Sequence, residues 1–448
     1  MGLRDGVIVS LDEYNDYEEN WGKGALTRFA NFAKTNGLKA ILAIGGWNEG
    51  SVKYSQMAAT EAARNTFADS VVTFVQKYNF DGLDMDWEYP TQRGGTPQDK
   101  ENFSLLLETL SDKLHAEGLI LTVAVCADSD IAKEAYDFKK VAQYADYISL
   151  MSFDYHTATS DNVTGLNSPL HAIPEENRNN TKLNVEYSVN QWLGGGVPAS
   201  KLIVGIPLYG RTYILADPED HGLGAPINGS GTAGPHTKEP GFLSYYEICM
   251  ETKWNVERND AEGYIYAYYD NNWVSYDDVT TVTSKAQFVK EKGLAGTMMW
   301  ALESEDFRNQ CGEGANPLLT AANQPNTETS EGTEKERKAT GAVHSQNKGA
   351  NVLLVARIIL GVAIPVRGIA TPESERTSLS NCRIFRDFRI LASDKSRVLR
   401  NVLTTMMSRF ICHRHVLPAV NCLMLTSNAV CPSQQTHCNS AHMLPAHA

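Results

Sequence analysis

The chain has 448 residues, a formal net charge of −13, 42% apolar residues and 21% charged ones. That length allows one large domain or a few ordinary ones, and the composition is that of a soluble globular protein. The acidic balance argues against nucleic acid or an anionic membrane as a partner, and no run reaches the roughly 18 apolar residues of a membrane span.

Composition changes near residue 322. Every Trp and Tyr precedes that point, and five of the eight Cys follow it. Residues 1–322 are therefore read as one entity, 323–350 as a polar, disordered linker, and 351–448 as an unassigned Cys-containing tail. The opening "MGLRDGVIVSLDEYND" lacks the basic segment and apolar run of a secretory signal.

Along the chain, short apolar strands alternate with amphipathic helices. "GVIVSL" (6–11) is at most a short strand, and "KAILAIGGW" (39–47) is a buried one. A helix follows over 61–79, with Phe67, Val71, Phe74 and Val75 on one face. "FDGLDMDW" (80–87) is a strand, 101–118 a helix ended by a Gly, and "LILTVAVCA" (119–127) a strand. Helix 137–145, strand "YISLMSFD" (147–154), helix 181–196 and strand "KLIVGIPLYG" (201–210) come next. After an aromatic and Gly/Pro-rich interruption at about 213–268, read as a small α+β insertion, helix 277–293 leads to the strand "LAGTMMWAL" (294–302). This alternation implies a parallel sheet. It supplies six clear βα units of the eight that a closed (β/α)8 TIM barrel needs, so the barrel is expected to lack its first two strands and to be open on one side.

The stretch "DGLDMDWEYP" (81–90) carries the chemistry. On a strand, Asp84, Asp86 and Glu88 share one face at steps of roughly 6.6 Å, while Leu83, Met85 and Trp87 take the face toward the helices. Glu88 then falls at the C-terminal end, where barrel enzymes keep their active sites. A solvated acidic edge does not suit a strand this apolar. A Mg²⁺ site would suit paired Asp residues, but neither a phosphate-cradling Gly loop nor a second acidic cluster accompanies it. Acid/base chemistry fits best: carboxylates this close share a proton, and one can protonate a leaving-group oxygen as glycosidases require.

This stretch resembles the signature of glycoside hydrolase family 18, the chitinases and chitinase-like proteins, in wording closest to the animal, arthropod type. "LAIGGWN" (42–48), "LMSFDYH" (150–156), "GIPLYGRTY" (205–213), "YAYYDNNWVSYDD" (266–278) and "MMWALESEDF" (298–307) resemble the family's other landmarks, in the family's order. The resemblance implies a secreted, monomeric enzyme that needs no cofactor or metal and acts on chitin and chitooligosaccharides. It would cleave β-1,4-linked N-acetylglucosamine with retention, the substrate's own acetamido oxygen attacking to give an oxazolinium ion. Glu88 would be the acid and then the base, Asp86 would orient the acetamido N–H, and Asp84 would share the proton of Asp86. Asp81 is expected to anchor the start of the strand.

Sugar-binding positions implied by the resemblance are Gly45, Gly46, Trp47, Asn48, Tyr89, Met151, Phe153, Asp154, Tyr209, Arg211, Met298 and Trp300, with Glu13 and Tyr14 as a further pair. The two glycines would let sugar approach the backbone. Cys249 and Cys311 match a disulfide, and Cys126 reads as a buried thiol. Sequons at Asn102, Asn162, Asn179 and Asn228 permit glycosylation in a secreted chain. Three features depart from the pattern. Phe153 replaces a Tyr whose hydroxyl would bind the acetamido oxygen, so either activity falls or Tyr209 supplies the donor. The family's first two strands lie upstream of the segment that "GLRDGVIVSLDEYND" resembles. The tail has no aromatic platform of a chitin-binding module, and the Cys/His spacings around "ICHRH" (411–415) fit no zinc pattern. A silent chitin-binding lectin is the alternative function, and an enzyme for peptidoglycan or glycoproteins a third.

Overall fold

The computed structural model describes residues 1–173 and 181–323, together with the backbone of Leu353–Arg357 and Asp387–Ala392. The expected linker, the rest of the tail with its Cys and His residues, and the Asn179 sequon lie outside the described residues.

A two-stranded hairpin, β1 (Gly2–Arg4) and β2 (Val7–Val9), opens the chain and leads into α1 (Glu13–Asp16) and α2 (Ala25–Thr35). The barrel then begins with β3 (Lys39–Gly45). After it come α3 (Val52–Ala58), α4 (Glu61–Lys77), β4 (Gly82–Asp86), α5 (Asp99–Ala116), β5 (Ile120–Cys126), α6 (Ser129–Ala135), α7 (Phe138–Tyr144), β6 (Tyr147–Met151), α8 (Val185–Gly194) and β7 (Leu202–Pro207). Both faces of these strands are covered, so they are largely apolar; every residue of β4 is buried, its two Asp residues included. Caps set the helix starts: the Thr60 hydroxyl accepts from Ala63 N at 3.2 Å to begin α4, and Asp278 accepts from Thr281 N at 3.0 Å to begin α10 (Val279–Glu291).

Between β7 and α10 the chain builds a second sheet. It holds β8 (Tyr209–Leu215), β9 (Ile227–Ser230), β10 (Phe242–Ser244), β11 (Asn255–Asn259), β12 (Tyr264–Tyr269) and β13 (Asn272–Tyr276), with the short helix α9 (Tyr245–Cys249) after β10. The order is β10-β8-β13-β12-β11, with β9 paired to β8, and all pairings are antiparallel. Its first strand starts at Tyr209, after a single residue beyond β7, so Tyr209, read as part of a barrel strand, belongs to this second sheet instead, as does Arg211.

The chain returns to the barrel through β14 (Gly296–Trp300) and ends its continuous part with α11 (Pro317–Asn323). Strands β3, β4, β5, β6, β7 and β14 are neighbours in that order and parallel throughout. The expected open side is corrected by the structure. β15 (Leu353–Arg357) pairs in parallel with β3, and β16 (Asp387–Ala392) pairs antiparallel with both β15 and β14. Eight strands thus close the barrel, and the segment read as an unassigned tail contributes two of them. Unpaired edges on β3 and β14 would each expose a row of backbone donors and acceptors; β15 and β16 satisfy them. One strand running against the others, far along the chain and without a βα alternation, is invisible to a periodicity reading.

Candidate active site

The carboxylates stand at the C-terminal end of β4. Asp84 and Asp86 are fully buried, and Glu88, two residues beyond the strand, is 8% exposed. Asp84 Oδ1 accepts a hydrogen bond from Thr122 Oγ1 on β5 at 2.6 Å. Leu83, Met85 and Trp87 pack on the opposite face, buried to 1% or less. Asp81 anchors the start of the strand, bonding Lys39 Nζ at 2.8 Å and Ala40 N at 2.9 Å.

The wall beside Glu88 is neutral. Burial pushes the hydroxyls of Tyr89 and Tyr136 well above the ordinary phenol range, and the charges of Glu88 and Asp86 add to the effect. Burial also raises the thiol of Cys126, which is hydrogen-bonded to Tyr89. All three groups therefore keep their protons near neutral pH. Cys126 is buried and free, as expected.

Above β3, Gly45 and Gly46 have φ of +106° and +100°. A Cβ at Gly45 would sit 2.1 Å from Asp86 O, and Gly46 N donates to that same oxygen at 2.7 Å. The nearest constraint on Gly45 is thus the backbone of β4; only glycine fits there at that φ. Trp47 and Asn48 follow on a 3-10 turn (Trp47–Glu49) and are exposed, Trp47 by 56%. The Arg93 guanidinium carbon lies 3.7 Å from the centre of the Trp47 ring.

Met151, at the end of β6, and Met298, on β14, belong to one buried cluster inside the barrel, and Tyr89, Phe153 and Trp300 pack on it. Gly205 leaves room for this: a Cβ there would meet Phe153 Cε1 at 2.8 Å. Five of the expected sugar-contacting residues, from three different strands or their ends, thereby converge. Asp154, with φ of +61°, sits just past them. Its carboxylate accepts from Tyr209 Oη at 2.7 Å and is held bidentate by Arg211, Nε at 2.6 Å and Nη2 at 2.7 Å. Burial raises the Tyr209 hydroxyl, and the Asp154 charge adds to it.

Glu13 and Tyr14 lie near the start of the chain, ahead of the barrel. They are exposed on α1, and the Tyr14 ring faces Lys23 Nζ at 5.1 Å. Cys249 and Cys311 form a disulfide. Among the described residues the one cluster with metal-ligand geometry is Cys249, Asp306 and Cys311, whose sulfurs are already bonded to each other. No helix among the described residues is long and apolar enough to cross a membrane.

Several residues that hold the site carry no sequence signal. Asn167 accepts from Asp154 N at 2.9 Å and donates to Tyr209 O at 3.2 Å, so it fixes both partners of that ion-pair cluster. Phe242 stacks on Tyr209 with ring centres 4.6 Å apart. An Asn in a loop and a Phe on a three-residue strand have no periodicity to betray them.

Residues 2–306 match the sequence profile of Glycosyl hydrolases family 18. The chain belongs to this family. It is 41% identical over 334 residues to mouse chitotriosidase-1, covering 71% of this chain and 69% of the relative. The crystal structure of the Ostrinia furnacalis Group IV chitinase in complex with allosamidin superposes with a TM-score of 0.70 at 40% identity, covering 73% of this chain and 89% of that one. Human YKL-39, described as a pseudo-chitinase with retained chitooligosaccharide binding properties, superposes with a TM-score of 0.66 at 33% identity, over 72% of this chain and 88% of that one.

Proposed function

We propose that the protein is a secreted chitinase that hydrolyses β-1,4-N-acetylglucosamine linkages with retention. Glu88 protonates the leaving oxygen, and the substrate's acetamido oxygen attacks the anomeric carbon. Asp86 orients the acetamido N–H and balances the positive charge, with Asp84 behind it. Glu88 then activates the water that opens the oxazolinium ion. One observation carries this reading: all three acids are intact and sequestered at the C-terminal end of β4, beside the cluster where Tyr89, Met151, Phe153, Met298 and Trp300 meet. A buried acid next to apolar and aromatic walls is the setting in which a carboxyl keeps a proton for a leaving group.

Chitooligosaccharide would lie along that cluster, bounded by Trp47 and Asn48 on one side and by Asp154, Tyr209 and Arg211 on the other. The test is hydrolysis of the N-acetylglucosamine hexamer, with products read by mass. Glu88→Gln should abolish turnover while keeping sugar binding; unchanged turnover in that variant would refute the mechanism.

The second reading is a chitin-binding protein with weak or no turnover. Phe153 favours it, because the ring is kept and the hydroxyl donor is lost. Hexamer that binds the wild-type chain and stays uncut would select this reading.

A further inference from the structure

One buried hydroxyl touches both neighbours of Glu88. Ser51 follows the 3-10 turn after β3 and is 0% exposed. Its Oγ accepts from Trp87 Nε1 at 3.0 Å and donates to Tyr89 O at 2.9 Å. Trp87 and Tyr89 are the residues on either side of Glu88. A hydroxyl has one proton and two lone pairs, so this bridge commits its only donor to the backbone that leads away from the acid.

Ser51 is also the N-cap residue of α3, where a serine hydroxyl ordinarily accepts from the helix's own second or third N–H. Here it makes no such bond. The side chain is turned from its usual local partner toward the catalytic turn. Two further contacts hold the same stretch: Arg93 Nη1 donates to Glu88 O at 3.2 Å, and Gly46 N donates to Asp86 O at 2.7 Å. Of these residues only Ser51 grips both flanks of Glu88.

We infer that Ser51 is a positioning residue for Glu88, holding the Trp87 indole before it and the Tyr89 carbonyl after it so that the carboxyl is aimed into the cleft. The inference rests on the reading of Glu88 as the acid/base. A misplacement of about 1 Å at a reacting group can cost on the order of a hundredfold in rate, and such an error acts on the chemical step rather than on the distant sugar contacts.

The test compares wild type, Ser51→Ala and Glu88→Gln on the N-acetylglucosamine hexamer, with kcat and KM measured separately and folding checked by circular dichroism. Ser51→Ala should lower kcat about tenfold or more and leave KM within about twofold. A variant that loses thermal stability but keeps the wild-type kcat makes Ser51 a purely structural residue and overturns the inference. If Ser51→Ala does not fold, Ser51→Cys, with a weaker donor of similar shape, should show the same fall in kcat at constant KM, and an unchanged kcat overturns the inference equally. Turnover that survives Glu88→Gln, or is absent from wild type, overturns the reading of Glu88 itself, and with it the role of Ser51. Loss in Glu88→Gln with full activity in the Ser51 variants overturns Ser51 alone.

Discussion

The Tyr209 hydroxyl donates to Asp154 Oδ1 at 2.7 Å. A phenol has a single proton, and Arg211 pins the same carboxylate from two further directions. Tyr209 is therefore already committed and is no ready replacement for the donor missing at Phe153. The Phe153 ring meets the Tyr209 ring edge-on with centres 6.1 Å apart, so a hydroxyl restored at Phe153 would enter the same cluster. Phe153→Tyr is expected to raise kcat/KM on chitooligosaccharide about tenfold or more, since one well-placed donor is worth roughly 3–4 kcal/mol at most. Steady-state kinetics of the two proteins decide it; equal or lower activity in the Tyr variant would show that the acetamido oxygen finds its donor elsewhere.

A buried ion pair links the second sheet to the barrel. Lys285 of α10, 0% exposed, places Nζ 2.7 Å and 2.6 Å from the two Asp277 oxygens and 2.7 Å from Ser168 Oγ. Ser168 in turn donates to Ser152 O at 2.6 Å, one residue from Phe153. Burial pushes the Asp277 carboxyl up and the Lys285 ammonium down, and each charge opposes the shift of the other. Removing one partner leaves the other charged in the core. Lys285→Met should destabilise the fold by about 3–5 kcal/mol, measured as a lower urea midpoint with an unchanged slope. The double variant Lys285→Met with Asp277→Leu should recover much of that loss, which distinguishes an unpaired charge from bad packing.

The acids at positions 84, 86 and 88 were legible because strand periodicity is local: two-residue steps put Asp84, Asp86 and Glu88 on one face whatever surrounds them. The six parallel strands were legible for the same reason, as were the burial of Cys126 and the anchoring role of Asp81. Features set by distant partners were not. The pairing of β15 and β16 depends on which edges β3 and β14 leave open. The reason for Gly45 lies in Asp86 O on the next strand, and the role of Ser51 in a hydroxyl turned from its own helix. Tyr209 was read as the end of a barrel strand and Arg211 fell outside any element, whereas both lie on β8, because β7 and β8 are separated by one residue and the direction change leaves no trace in hydrophobicity.

Glu305 makes stability depend on pH. It is 0% exposed, and burial raises its carboxyl from 4.5 to about 8 although Leu318 N and Leu319 N donate to its Oε1 at 2.8 Å and 3.3 Å. Those donors belong to the first turn of α11, so the ionisation of Glu305 bears on how that helix is held. Between 4.5 and about 8 the folded state keeps a proton that the unfolded state has released. Stability must then fall as pH rises through that window, and the loss is complete above it. Each unit of difference is about 1.4 kcal/mol, so the total is on the order of several kcal/mol. Glu305→Gln keeps the acceptor for both N–H groups and removes the ionisation. Thermal unfolding should therefore show a wild-type Tm that drops between about pH 5 and pH 8 by at least about 5 °C more than that of the variant. Parallel curves for the two proteins would mean that Glu305 ionises in the folded state as readily as in the unfolded chain.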